Sequence, residues 1–328
     1  MDQICYLNII PDEIRKYIIS LTQNKVFDLC LINHYFNDNC KIIRIIDNFK
    51  YPKLTDINLK ELINLTSLNL CYNETITNEG IKGLINLTSL NLRSNKKITN
   101  EGIKGLTNLT VLDLYQNNKI TNEGIKRLTK LTSLNLYFNK KITDEVIKGL
   151  TNLTSLNLEN NDSIITNEGI KILTNLTSLV LSFNNKITNE GIKGLINLTI
   201  INLAFDEKIT AIGLKDLTNL TSLNLTGNKN ITDEGIKGLI NLTSLNLRNN
   251  NKITDKGIKG LINLTSLNLY NNKIITDEGI KELVNLASLD LTSNDIITDE
   301  GIKGLSNLTY LDLSYNLKIT DKRLLNLK

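Results

Sequence analysis

The chain has 328 residues, 41% of them hydrophobic and 5% aromatic, with 38 Lys and Arg against 34 Asp and Glu. A formal charge of +4, with acids and bases alternating along the sequence, leaves no strong electrostatic footprint for nucleic acid, so no nucleic-acid partner is expected. No stretch approaches the roughly 20 apolar residues that cross a bilayer, and residues 1–11 lack the basic start, apolar core and small-residue cleavage site of an export signal. An intracellular protein without a membrane partner is expected.

The first 40 residues follow no period. Ile10-Pro11-Asp12-Glu13-Ile14 opens a predicted helix with proline in its first turn, and Ile14, Ile18 and Leu21 recur at i, i+4 and i+7 on one face. A second apolar set, Val26, Phe27, Leu29, Leu31, Ile32, Tyr35 and Phe36, follows Asn24, a suitable helix cap. Two or three helices in so short a segment cannot hide this much apolar surface alone. Cys5, Cys30, Cys40 and Cys71 show no zinc-ligand spacing and read as reduced thiols. Residues 41–64 form a degenerate first repeat or transition: Leu54-Thr55-Asp56 and Leu59 with Leu62 fit the helical half, whereas Phe49 and Pro52 disrupt the remainder.

From Leu65 to Lys328 one 22-residue unit recurs, with copies starting at Leu65, Leu87, Leu109, Leu131, Leu153, Leu176, Leu198, Leu220, Leu242, Leu264, Leu286 and Leu308; only the copy at Leu153 has an extra residue. So strict a period specifies a stacked solenoid. Leu at positions 1, 4 and 6 predicts a short strand with one buried face. Position 9 is Asn except at Asp206, and its amide can serve backbone groups of the adjoining turns. Asn78, Asn100 and Asn122, exchanged for Asp144, Asp233 and Asp277 in other copies, are expected to cap a short helix whose buried edge is Ile81 with Leu84. Gly80 and Gly83 weaken that helix. The few apolar side chains of one copy cannot offset the ordering of its whole backbone, so each copy depends on its neighbours.

Two recurring patterns invite a functional reading and have a simpler one. The lysine row Lys82, Lys104, Lys126, Lys148, Lys171 and Lys193 is accompanied by Glu79, Glu101, Glu123, Glu145, Glu168 and Glu190, which predicts a solvated, self-neutralised face. Asn-Leu-Thr, as at Asn64-Leu65-Thr66 and Asn86-Leu87-Thr88, matches a glycan acceptor but is expected to be a turn residue ahead of each strand. Catalysis is not expected, nor is a metal or cofactor. His34 is the single histidine and lies in an apolar helical pattern, and no phosphate-cradling glycine loop occurs.

The Leu-x-x-Leu-x-Leu-x-x-Asn core resembles leucine-rich repeats, and Ile-Thr-Asn/Asp-x-Gly-Ile-x-x-Leu resembles their cysteine-containing subclass, here with Asn in place of the usual Cys. The resemblance implies an α/β solenoid, a horseshoe of about twelve to thirteen repeats with strands inside and helices outside. The leader, with Ile10-Pro11 and Glu13, then Ile32-Asn33 and the closing Phe36, is similar to an F-box, although His34 and Tyr35 replace that family's basic pair. An F-box followed by such repeats implies a substrate-recognition subunit of an SCF-type (cullin-RING) ubiquitin ligase. Its helices would dock the S-phase kinase-associated adaptor through Ile10, Pro11, Ile14, Ile18, Leu21, Leu29, Leu31, Ile32 and Phe36. The alternatives are a ubiquitin-independent scaffold whose leader caps the solenoid and an exported adhesin resembling bacterial internalins.

Differences between copies locate the target surface. Positions 3 and 5 are a monotonous floor of Ser and Asn, interrupted at Val111, Val180, Ile200 and Tyr310. Two groups are expected to bind an unknown protein target: Val111, Tyr115, Tyr137 and Phe138, and Val180, Phe183, Ile200 and Phe205.

Overall fold

The computed structural model describes residues 45–47, 54–161 and 164–320. Among the described residues, thirteen three-residue strands, from β1 (Ile45–Asp47) and β2 (Ser67–Asn69) to β13 (Tyr310–Asp312), form one parallel sheet in strict chain order. Equal positions face each other, Ser67 with Ser89, Leu68 with Leu90 and Asn69 with Asn91. The expected α/β solenoid is therefore present. The described parts of residues 41–64 take the positions of a repeat: Ile45 pairs with Ser67 one period later, and the helix α1 (Asp56–Lys60) buries Leu59, with Leu54 and Leu62 also buried.

In-register stacking turns each sequence position into a column of identical side chains. In the copy at Leu87, Leu87, Leu90, Leu92, Ile98, Ile103 and Leu106 are all at most 1% exposed, and the same six columns continue along the core. Burying one such side chain is worth about 1.5–3 kcal/mol, but only neighbouring copies provide the cover.

Polar columns close the ends of the core. The Asn95 amide donates to the carbonyls of Leu70 (3.1 Å) and Asn73 (2.9 Å), and its Oδ1 accepts from the N–H groups of Lys97 and Ile98. Asn117, Asn228 and Asn250 repeat this pattern, satisfying buried backbone groups that no strand reaches. The Asn-Leu-Thr residues are likewise occupied: Asn86 Nδ2 donates to the Ile63 carbonyl and Thr88 Oγ1 to that of Thr66. Where Lys130 replaces this Asn, its Nζ donates to Asn108 Oδ1 instead.

Position 14 corrects the expected cap. The N-cap is the preceding threonine, such as Thr77 or Thr99, and Asn78 is the first helical residue. Its side chain reaches forward one repeat, where Oδ1 accepts from the Thr99 N–H at 2.9 Å and Nδ2 donates to Thr99 Oγ1 at 2.8 Å. Aspartate keeps the first bond and reverses the second, so that Thr166 Oγ1 donates to Asp144 Oδ2 at 2.6 Å. The exchange matters locally. Thr77, Thr166, Thr254, Thr276 and Thr298, each donating to an Asp, also accept the capping N–H of their own helix. Thr99, Thr121, Thr143, Thr188 and Thr210, each receiving an Asn amide, do not. An oxygen that gives its proton to a carboxylate retains its lone pairs for the helix N–H, whereas one occupied by an incoming amide does not.

The same bridge accounts for the glycine at position 16. A Cβ on Gly102 would lie 2.7 Å from Asn78 Oδ1 and 3.0 Å from Ile98, whereas one on Gly83 would meet nothing within 4 Å. The first glycine is tightly packed, although the copy at Leu131 accommodates Val146 there with the bridge from Asn122 to Thr143 retained, and the second is dispensable. On the outer row Glu79 pairs with Lys82 at 2.7 Å, Glu101 with Lys104 at 2.6 Å and Glu168 with Lys171 at 2.7 Å, all exposed. Such pairs contribute little stability but neutralise this face.

Candidate binding surface

The sheet hands over to the outer loops through one turn, and the aromatic side chains stand on it. Position 5 fixes its start: Asn69 Oδ1 accepts from the Cys71 N–H, Asn91 from Arg93 and Asp113 from Tyr115, at 2.8–3.0 Å. The Asn floor is therefore largely committed to the fold. Position 8 is left-handed in every copy, with φ of 56° at Tyr72, 53° at Phe138 and 54° at both Phe183 and Phe205. Bulky residues adopt this conformation at a cost of roughly 1–2 kcal/mol, and the bond from the Tyr72 N–H to the Arg93 carbonyl (3.0 Å) helps to hold it.

This backbone brings the expected rings together. Tyr115 and Tyr137 meet edge to face, with centroids 4.6 Å apart. Tyr137 and Phe138 are neighbours in sequence that an extended strand would point apart, yet the left-handed turn stacks them at 4.6 Å and 20°. Burial first, and then the Glu159 carboxylate, push the Tyr137 phenol up from its ordinary range. Val111 stands on the strand Val111–Asp113 and is 40% exposed. Sequence reasoning missed Arg93, whose guanidinium lies 3.9 Å over the Tyr115 ring and 5.9 Å from that of Tyr72. Being the arginine at position 7 of its copy was its signal.

In the second group Phe183 and Phe205 stack at 4.7 Å and 14°. Both are just over 40% exposed, as is Ile200. Phe205 extends over Gly227, where φ is 60° and a Cβ would approach the ring to 2.3 Å. Here the solenoid gives up its own hydrogen bonds. Val180 takes the position of the Asn that elsewhere accepts the position-7 N–H, and beside it Ser182 is buried with its Oγ unpaired.

One copy on, Asp206 is buried in the Asn column. Its Oδ1 accepts from Lys208 and Ile209 as an Asn would, but Oδ2 has no partner. By the register of the column, the Leu181 and Asn184 carbonyls require a donor there, which an aspartate supplies only when protonated. Burial pushes the Asp206 carboxyl up to about 6 against the opposing pull of the Ile209 and Lys208 amides. The same copy has Ala211 in the bridging column and Ile212 exposed on its helix.

The leader residues Ile10, Pro11, Ile14, Ile18, Leu21, Leu29, Leu31, Ile32 and Phe36 lie outside the described residues. Among the described residues no group of three or more His, Cys, Asp or Glu is placed to hold a metal ion, and no helix is long and apolar enough to cross a membrane.

Residues 61–85, 83–106, 149–171, 173–196, 216–240, 238–262, 260–284, 283–306 and 304–322 each match the leucine-rich repeat, and residues 107–147 match two copies of it. The chain belongs to the leucine-rich-repeat family. Its repeats form a scaffold for protein–protein interaction. No curated protein matches the chain. Among solved structures, an internalin of Listeria monocytogenes is 32% identical at TM-score 0.61, the alignment covering 82% of this chain and 79% of that one. A leucine-rich-repeat protein of Leptospira interrogans is 28% identical at TM-score 0.61, covering 86% and 81%. Yeast Rad7, in its complex with Elc1, shares the fold at TM-score 0.59 and 21% identity, covering 98% and 96%.

Proposed function

We propose that this leucine-rich-repeat protein is a substrate receptor of an SCF-type ubiquitin ligase. Residues 1–40 dock the S-phase kinase-associated adaptor as an F-box, and the repeats hold the protein to be modified. It acts without bond chemistry of its own, by raising the effective concentration of the target beside the transferring enzyme. The observation that carries the target-binding half is the group formed by Val180, Phe183, Ile200 and Phe205. There Phe183, Ile200 and Phe205 are exposed beside the half-buried Val180, and the repeat forgoes an internal hydrogen bond, a local departure that the fold itself does not require. The adaptor half rests on the F-box-like order of Ile10, Pro11, Ile14 and Phe36 ahead of the repeats.

Pull-down of the adaptor by the full chain, compared with Pro11→Ala plus Ile14→Asp, tests the assignment; a folded wild-type chain that captures no adaptor sinks it. A second reading is a ubiquitin-independent binding scaffold whose leader caps the solenoid, and the 32% identity with an internalin supports binding through the repeats without a ubiquitin ligase. That reading gains if deletion of residues 1–40 leaves target binding intact and lowers solubility only.

A further inference from the structure

The loops after the strands carry a charge pattern distinct from the neutralised helix row. Lysine occupies position 10 or 11 in the second to tenth copies except the fifth. It is densest in the second to fourth copies, where Lys96, Lys97, Lys119, Lys140 and Lys141 are all exposed. Whereas Lys82, Lys104 and Lys126 on the helices each bind a glutamate, the single ion pair of these five among the described residues is Lys96 with Glu74, at 3.9 Å. Folding therefore separates a nearly neutral sequence into a helix row whose lysines are mostly ion-paired and, in the second to fourth copies, a loop edge whose lysines mostly are not.

An open groove of about 320 Å³ lies in that edge, lined by Ser94, Lys96, Gln116, Asn118, Phe138 and Lys140. Phe138 is held there by its left-handed backbone. Ser94 Oγ donates to Gln116 Oε1 at 3.1 Å, and Asn118 Oδ1 accepts from the Lys140 N–H at 3.0 Å. Both amide oxygens are thus engaged within the protein, and the two NH2 groups remain as donors. Tyr72, 54% exposed, and the Arg93–Tyr115 pair stand on the turns immediately beside it.

We propose that this edge binds single-stranded nucleic acid, with one base against Phe138, its polar edge on the Gln116 and Asn118 amides, and the backbone phosphates on the five lysines. Cations in a row, one repeat apart, match a linear polyanion, and aromatic faces interleaved with them are what unpaired bases require. An acidic polypeptide would use the lysines but has no need of a ring face flanked by amide donors. A duplex keeps its base faces stacked and out of reach of Phe138. The low net charge concealed this edge because the compensating acids sit on the helices. The proposal gives the first aromatic group a ligand other than the ubiquitination target and is independent of the Val180–Phe205 group, so the failure of either leaves the other standing.

The test is fluorescence anisotropy of a labelled 12-nucleotide single-stranded RNA titrated with the full chain between 50 and 200 mM salt, with a duplex and a labelled oligoglutamate as competing classes. Five phosphate contacts predict a slope of log K against log salt of about −3.5. Lys96→Glu plus Lys140→Glu should weaken binding at least tenfold. Phe138→Asn, which keeps a residue suited to the left-handed turn, should weaken it at least fivefold without changing the slope. Lys82→Glu plus Lys104→Glu on the helix row should change it by no more than twofold. Absence of RNA binding at 50 mM salt, oligoglutamate or duplex bound as tightly as the single strand, equal loss from the helix-row reversal, or an unaffected Phe138→Asn would each overturn the proposal.

Discussion

Asp206→Asn should stabilise the protein, most at neutral pH. Asp206 is fully buried in a column where every other copy has Asn, and its Oδ2 lies where a donor to the Leu181 and Asn184 carbonyls belongs. Its carboxyl is raised from 3.8 to about 6, so the folded state retains a proton that the unfolded chain releases at lower pH. The stabilisation from this proton is complete below the unfolded value, declines as pH rises and is gone once pH passes about 6. Two units correspond to about 3 kcal/mol, of which about 2 kcal/mol falls between pH 4.5 and 7.5. Urea titrations of both proteins at these two pH values, followed by circular dichroism, measure it. The advantage of Asp206→Asn should be larger at pH 7.5 than at pH 4.5 by that amount. A difference independent of pH, or a variant less stable than the parent at pH 7.5, would refute the proposed protonation.

Two further substitutions separate packing from function. Gly102→Ala drives a methyl group into the Asn78 bridge and should destabilise by about 1–3 kcal/mol, whereas Gly83→Ala, with open space around it, should be neutral or stabilising by up to about 1 kcal/mol; paired thermal melts distinguish them. Val180→Asn restores the acceptor for the Ser182 N–H and should raise stability by about 1 kcal/mol while weakening capture of the target through Phe183 and Phe205, as seen in parallel melts and pull-downs from one preparation.

Much of this protein is legible from one copy of its repeat. The apolar columns, the strand after position 2, the short helix, the Glu79–Lys82 pairing and the backbone service of the position-9 Asn all follow from side-chain period and hydrogen-bonding capacity within a single copy. Even the two aromatic groups could be picked out, because copies within one chain expose their own exceptions. What escaped prediction lies between copies. Asn78 read as a cap because Asn and Asp commonly are, but stacking places its amide within reach of Thr99 and leaves the capping to Thr77. Gly102 is a weak helix residue by propensity alone, and only stacking sets the Asn78 side chain against it. The left-handed turn at position 8 left no trace in sequence, since Gly227, Asn160, Asn249 and Asn271 are outnumbered there by residues that disfavour it. The sequence by itself thus determined that the chain is a stacked solenoid and which side chains form its core. The tertiary structure alone decided the direction of each inter-repeat hydrogen bond, the burial of Asp206 and the separation of paired helix lysines from an open basic edge. These depend on side chains one repeat apart, whose proximity follows from the period but whose donors, acceptors and orientations are fixed only when the copies pack.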